Sequence, residues 1–305
     1  MTRPPLVVLG PTASGKSGLA IKLAASVPGA HIVSADAMAV YARMNIGTAK
    51  PSEAERAGIV HHGIDIVDAS EECGVATYGD VIKPVIAELE AAGTPFVLAG
   101  GTGLYIRSVV DDFELPAQYP KVAAELESEP STPLLWQRLN ELDPVGAAKM
   151  EPTNRRRIMR ALEVTVGSGQ PFSSFGPGVD AYPPSRFVQI GLEIDRPTMD
   201  QRIDDRFDQQ MANGFLAEVA GLLETEISRP ARQALGYREL IKHLEGQCTV
   251  EEALDEAKRR THKFARRQQR WFRRDPRIHW LPALADDLFE QASGIWEAGL
   301  PANAV

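Results

Sequence analysis

The sequence predicts an α/β fold with a parallel sheet at its centre and a small helical insertion. Short apolar runs, Leu6-Val7-Val8-Leu9, His31-Ile32-Val33-Ser34 and Pro95-Phe96-Val97-Leu98-Ala99, are separated by helix-length segments such as Tyr78 to Ala92, and a βαβα order makes neighbouring strands parallel. From about Leu115 to Pro184 the character changes to prolines, an amphipathic stretch around Leu134-Leu135-Trp136-Leu139-Leu142, helical Glu163 to Val166 and a Gly/Ser/Pro-rich passage. Strand-like composition resumes at Phe187-Val188-Gln189-Ile190-Gly191-Leu192, with helical segments through Arg274. The expected division is therefore a core of 1–114 and 185–305 with a helical insertion domain at 115–184.

The first strand, Leu6 to Leu9, is short, apolar and bounded by prolines, as suits a strand buried on both faces. Gly10-Pro11-Thr12-Ala13-Ser14-Gly15-Lys16-Ser17 follows and fits G-x-x-x-x-G-K-[ST], and Leu19, Ala20, Leu23 and Ala24 then continue at helical spacing. Gly10 and Gly15 leave the backbone free to close its N–H groups around phosphate oxygens at the positive end of a helix. Lys16 adds a mobile positive charge, and Ser17 can place its hydroxyl on a Mg²⁺ ion that also bridges the phosphates. A glycine-rich turn joining strand to helix is the plain alternative. All fixed positions and both flanking elements favour phosphate, so the core is expected to be P-loop NTPase-like, with Mg²⁺ implied.

Ligands of parallel sheets lie beyond the carboxyl ends of the strands, so Gly10 to Ser17, Asp36 to Tyr41 and Gly100 to Tyr105 are expected to converge on one crevice. Asp36 could contact a metal-bound water, take a proton from a bound nucleophile, or simply cap a helix; its position leaves these open. Gly100-Gly101-Thr102-Gly103 could let the backbone and the Thr102 hydroxyl approach a ligand, or be an ordinary turn. Arg202 and Arg206 sit one helical turn apart among acids and read most simply as surface ion pairs.

Nine basic residues and no acidic one lie between Lys258 and Arg274. Arg259, Lys263, Arg266, Arg270 and Arg273 share a helical face; Phe264 and Trp271 share another that can pack on the body, leaving Gln268 and Gln269 to read polar edges. A charge run is usually a solvated face balanced by nearby acids, which this segment lacks, so contact with a phosphate backbone is expected. Arg155, Arg156, Arg157 and Arg160 form a second cluster in the insertion. Two patches that grip one polyanion suit a folded RNA.

With 305 residues and 44% hydrophobic content the chain can bury a substantial core, and its formal charge of −8 makes any RNA site a local feature. Cys73 and Cys248 give neither a disulfide framework nor metal-ligand spacing, and the histidines, including His61 and His62, read as packing or capping residues. No apolar segment has membrane-spanning length and the start lacks an export signal's apolar region, so a cytoplasmic protein is expected; without heptads, the default is a monomer.

The P-loop run, Asp36 with Val40-Tyr41, Asn45-Ile46-Gly47-Thr48-Ala49-Lys50-Pro51, His61-His62-Gly63-Ile64-Asp65, Gly100 to Tyr105, Leu235-Gly236-Tyr237-Arg238 and Arg266-Arg267-Gln268-Gln269-Arg270-Trp271-Phe272-Arg273 together resemble the bacterial tRNA dimethylallyltransferases. The matches come in family order across nearly the whole chain. The resemblance implies transfer of a dimethylallyl group from dimethylallyl diphosphate to N6 of the adenosine 3′-adjacent to the anticodon, with the loop holding diphosphate rather than ATP. It implies that Asp36 accepts the proton or hydrogen bond of the attacking amine, and that Thr102 and Arg206 support the diphosphate. It further implies RNA contacts from Asp36, Ala37, Met38 and Ala39, from Arg156, Arg157 and Arg160, from Gln233, Gly236, Tyr237 and Arg238, and from Arg266, Arg267, Gln268, Arg270, Trp271 and Arg273. Ala37 stands where the family commonly has Ser, and Ala39 replaces a frequent polar residue. The competing readings are a P-loop small-molecule or nucleotide kinase, which has no evident use for two basic patches, and a non-catalytic RNA-binding nucleotide switch.

Overall fold

The computed structural model describes residues 3–113, 116–176, 178–179 and 181–299. The expected boundary at residues 114–115 and the tail from Pro301 lie outside them. The chain divides into two compact units, one of residues 1–111 with 184–305 and the other of residues 112–183.

In the first unit the chain runs through β1 (Leu6–Leu9), α1 (Lys16–Ala25), β2 (His31–Ser34), α2 (Glu53–Arg56), β3 (His61–His62), α3 (Val75–Ala91), β4 (Phe96–Gly100) and α4 (Gly103–Val110). The second unit holds α5 (Pro120–Glu127), α6 (Thr132–Leu142), α7 (Pro144–Ala148) and α8 (Arg155–Ser168). The first then resumes with β5 (Val188–Glu193), α9 (Arg196–Ala212), α10 (Phe215–Leu222), α11 (Arg229–Arg232), α12 (Tyr237–Leu244), α13 (Val250–Phe272), β6 (Ile278–Pro282) and α14 (Leu288–Ala298).

All six strands are parallel, in the order β3-β2-β4-β1-β5-β6, and the fold is P-loop NTPase-like. β1 is central because every residue of it is buried. Its alternate side chains feed two cores: Val7 and Leu9 join Val33, Leu98 and the α9 to α13 side, while Leu6 and Val8 join Ile32, Val97, Val188 and Ile190 against α1 and α14. A strand that separates two apolar layers has no solvent face to alternate with, which is why it reads as a continuous apolar run. β1 ends at Leu9 beside Gly100 of β4 and Gly191 of β5, and this shared end of the sheet carries the phosphate-binding loop.

In the second unit, Leu126, Leu135, Leu139, Ile158, Ala161 and Leu162 make a separate small core. Tyr119, at the start of α5, is fastened to α8 through its backbone N–H to the Glu163 carboxylate, 2.7 Å, and its ring covers Gly167.

Candidate active site

The loop Gly10 to Ser17 connects β1 to α1 as the motif requires. Gly15 takes φ +90° and ends the loop in the left-handed region that glycine enters without penalty. α1 has neither an acid in its first turn nor a side-chain cap, so the positive end of its dipole carries no internal anion. Among the described residues, Ser14 Oγ is buried with no hydrogen-bond partner, and Lys16 Nζ reaches only the Pro11 carbonyl, at 3.3 Å. Desolvation pulls the Lys16 pKa down to about 8; the negative charge of Asp36 opposes that fall, and the nearby Arg206 guanidinium adds to it.

Arg206 departs from the surface ion pair expected of it. It is half-buried, has no ion pair among the described residues, and leaves Nε buried without a partner. Its pKa is lowered by desolvation against the opposing pull of Asp36. Arg202, one turn earlier on α9, also makes no ion pair among the described residues; its Nη2 lies 3.8 Å from the point where a Cβ on Gly15 would stand. Sequence reading missed its place over the loop, although the i,i+4 spacing with Arg206 puts both on one helix face.

Asp36 follows β2 and caps a turn rather than a helix. Its Oδ1 accepts the N–H groups of Met38, 2.9 Å, and Ala39, 3.4 Å, which fixes the orientation of the carboxylate. The Thr102 hydroxyl accepts the Ala37 N–H at 3.0 Å, leaving its own proton to give. The loops after β2 and β4 are thus joined at the crevice, with Lys16 and Arg206 near enough to Asp36 for each to feel its charge. The glycines at the end of β4 and just beyond it serve close packing: a Cβ would meet the Ala35 carbonyl oxygen at 2.1 Å from Gly100, Gln268 Nε2 at 2.6 Å from Gly101 and the Trp271 ring at 2.1 Å from Gly103. The room they make is taken by the protein itself.

Gln268, expected to read base edges, is buried with its carboxamide committed: Oε1 accepts from Thr12 N–H at 2.9 Å and Nε2 donates to the Gly101 carbonyl at 2.8 Å. The stripe Ala253, Ala257, Thr261, Ala265, Gln268 and Phe272 is the buried face of α13, so the spacing alone marks Gln268 as inward. Gln269 likewise donates to the Ile194 carbonyl at 2.8 Å.

Tyr237 and Gly236, also expected at an RNA surface, are buried. The Tyr237 hydroxyl donates to Glu218 at 2.6 Å, and Glu218 in turn accepts the N–H groups of Asn45, Ile46 and Gly47 at 2.8, 2.7 and 3.1 Å. A Cβ on Gly47 would strike Phe215 at 2.2 Å and Tyr237 at 2.5 Å. The Asn45 to Gly47 segment is therefore a clasp around one carboxylate, and Ala39 nearby in sequence is buried as well.

The cationic helix also differs from its sequence reading. Acids absent from the segment 258–274 arrive from α9: Asp200, Asp204 and Asp208 face Arg266 (3.5 Å), His262 (2.8 Å) and Lys258 (2.5 Å). Arg260 pairs with Glu239, Arg259 with Glu256, and Arg273 with Glu193. Lys263, Arg267 and Arg270 remain exposed and without an ion pair among the described residues, with Arg267 lying over Phe264. Gln233 is exposed and accepts from half-buried Arg238 at 3.2 Å.

In the second unit Arg156 and Arg157 are exposed at the start of α8, whereas Arg160 is spent on the Pro116 and Ala117 carbonyls and on Glu163.

No group of three or more His, Cys, Asp or Glu side chains suited to a metal exists among the described residues. An exposed Ser17 hydroxyl in the first turn of α1, beside a loop shaped for phosphate, suits Mg²⁺ held mainly by phosphate oxygens and water. No helix among the described residues is long and apolar enough to cross a membrane.

The family model described as IPP transferase matches residues 39–275. The tRNA dimethylallyltransferase of Thermobifida fusca is 45% identical over 297 residues, covering 94% of this chain and 92% of the relative; that of Roseiflexus castenholzii is 45% identical over 302 residues, covering 96% and 97%. The crystal structure of the tRNA isopentenylpyrophosphate transferase from Bacillus halodurans superposes with a TM-score of 0.71 at 33% identity, covering 97% of this chain and 98% of that one. A eukaryotic dimethylallyltransferase captured acting on tRNA superposes with a TM-score of 0.79 at 25% identity, covering 96% and 77%.

Proposed function

The chain belongs to the IPP transferase family, and on that premise we propose that it transfers a dimethylallyl group from dimethylallyl diphosphate to N6 of the tRNA adenosine 3′-adjacent to the anticodon, releasing diphosphate. The observation that carries the reading is unspent hydrogen-bonding capacity around one loop: among the described residues Ser14 Oγ and Arg206 Nε are buried without partners, and Lys16 is desolvated with little but Pro11 to hold. Buried polar groups normally find partners, and three of them around a helix N-terminus suit a diphosphate.

In this account N6 attacks the allylic C1 of the donor as the C1–O bond breaks, and the electron pair of that bond leaves with the diphosphate. Lys16 and Arg206 neutralise the departing charge, with the P-loop amides and the Thr102 hydroxyl donating to its oxygens; preorganised donors in a dry site act strongly because they need no reorientation. Arg202 extends this set from above Gly15. Asp36, held by the amides of Met38 and Ala39, accepts the proton that N6 sheds. Mg²⁺, when bound at Ser17, supplies further charge neutralisation on the phosphates.

The adenine leaves the loop stack to reach the crevice, as enzymes acting on base atoms require. On the RNA side, Lys263, Arg267 and Arg270 on α13 and Arg156 and Arg157 on α8 contact phosphates, while Trp271 and the exposed part of Arg238 contact the loop. The protein works as a monomer in the cytoplasm.

The test is incubation with unmodified tRNA and labelled dimethylallyl diphosphate. Label in the RNA, mapped to that adenosine, supports the reading. ATP hydrolysis or phosphoryl transfer with unlabelled RNA overturns it in favour of a kinase.

A further inference from the structure

α13 touches the crevice with one turn of its buried face. Gln268 spans from Thr12 N–H, in the loop after β1, to the Gly101 carbonyl, in the loop after β4. Gln269 ties the same turn to Ile194, just beyond β5, and the Trp271 ring fills the space beside Gly103. One helix thus references the loops that follow three strands of the sheet. Gln268 alone among these side chains binds the phosphate loop itself.

We propose that Gln268 is a positioning residue for the donor diphosphate: its carboxamide holds the phosphate-binding loop and the Thr102 loop at one fixed separation, so that both address the same anion. The proposal rests on the diphosphate reading of the loop. The geometry demands one acceptor and one donor on a single planar group, which is what a carboxamide provides. The Thr12 amide is pinned 2.9 Å from Oε1, two residues upstream of the buried Ser14 hydroxyl. The other side has no slack, because Nε2 sits 2.6 Å from where a Gly101 Cβ would be. Without the bridge the Thr12 N–H is free to turn and the two loops can drift apart, and angstrom-scale misplacement is costly for binding groups meant to be preorganised.

Two substitutions separate this role from packing. Gln268→Met fills a similar volume with neither hydrogen bond. Gln268→Glu keeps an acceptor for Thr12 but sets a carboxylate against the Gly101 carbonyl and beside a site for an anion. Phe272→Leu, on the same buried stripe one turn later, loosens the core without reaching either loop and serves as the stability control.

The experiment measures binding of inorganic diphosphate with Mg²⁺ to the full chain by calorimetry, alongside melting temperature and KM for donor and for tRNA. The expected result is a loss in diphosphate affinity of about tenfold in Gln268→Met, the scale of one or two buried hydrogen bonds, and a larger loss in Gln268→Glu. Donor KM rises in step, and the KM for tRNA stays near that of the wild type. Phe272→Leu lowers the melting temperature while holding wild-type diphosphate affinity. Wild-type affinity in Gln268→Met, or an equal loss in Phe272→Leu, overturns the positioning role alone. A wild-type protein that binds diphosphate yet transfers no prenyl group overturns the functional reading and leaves the Gln268 comparison decisive in itself.

Discussion

Along the α9 and α13 pair, Asp200, Asp204 and Asp208 meet Arg266, His262 and Lys258, so that each of these carboxylates has a basic side chain within reach. In the crevice, Lys16 and Arg206 share one acid, Asp36, forming an ion pair with nothing among the described residues while losing much of their hydration. The two regions use the same residue types in opposite ways. In the helix pair, charge is spent on architecture and contributes little net stability, as partly exposed pairs do. In the crevice, desolvated like charges oppose folding, a cost that is tolerable where a polyanionic ligand repays it. Pairing, rather than residue type, separates the groups that build this protein from those that act.

The sharpest way to break that contrast is Asp36→Asn, which keeps an acceptor for the Met38 and Ala39 amides and removes only the base. Single-turnover transfer is expected to fall by about 10²- to 10⁴-fold, the usual worth of a general base, with tRNA affinity nearly intact. Unchanged turnover would remove Asp36 from the chemistry.

Lys16→Met is expected to abolish detectable donor binding and yet raise the melting temperature of the ligand-free protein. The sign follows from the shift: the folded state holds the Lys16 proton with a pKa of about 8 against an ordinary value of 10.5, so the unfolded chain binds that proton more tightly and the folded state is penalised whenever Lys16 is charged. The same penalty eases as pH rises through the window between those values. A lower melting temperature in the variant would contradict the account.

Diphosphate affinity should vary with pH for the same reason. A bound polyanion favours charged Lys16, so affinity is greatest below pH 8 and declines above it by up to about tenfold per pH unit. A flat calorimetric profile between pH 7 and 9.5 would show that Lys16 is not a ligand group.

The smallest effects distinguish spent from unspent cations on α13. Arg270→Ala is expected to weaken tRNA binding a fewfold and to reduce the salt slope by about one. Lys258→Ala, whose partner is Asp208, leaves that slope almost unchanged. Equal slopes for the two variants would erase the distinction.

Much of the core was legible because it is local. β1, the phosphate loop and α1 form one contiguous run in which strand period, glycine placement and helical spacing agree. The edge strands were not: β3 is only His61–His62, and β6 reads Ile-His-Trp-Leu-Pro with exposed and half-buried positions that show no period. Pro84 lies inside α3 without ending it, because tertiary packing of Ile82 and Ile86 outweighs its local cost. The ion ladder was hidden by distance in sequence, since Asp204 and His262 are 58 positions apart. Gln268 was readable, since the small-residue stripe of α13 pointed it inward, but the density of surrounding arginines drew it into the RNA surface. Tyr237 was read toward the RNA surface for a related reason, whereas the structure buries its ring and joins its hydroxyl to the clasp around Glu218.

The central claim is that the unspent groups around the phosphate loop are reserved for the diphosphate of a prenyl donor. Equilibrium binding of dimethylallyl diphosphate and of ATP to the wild type and to Lys16→Met, under identical Mg²⁺ and salt, tests it most directly. The account predicts that the wild type prefers the prenyl donor and that the variant loses it. A wild type that prefers ATP, or a variant that binds the donor as tightly as the wild type, would contradict it.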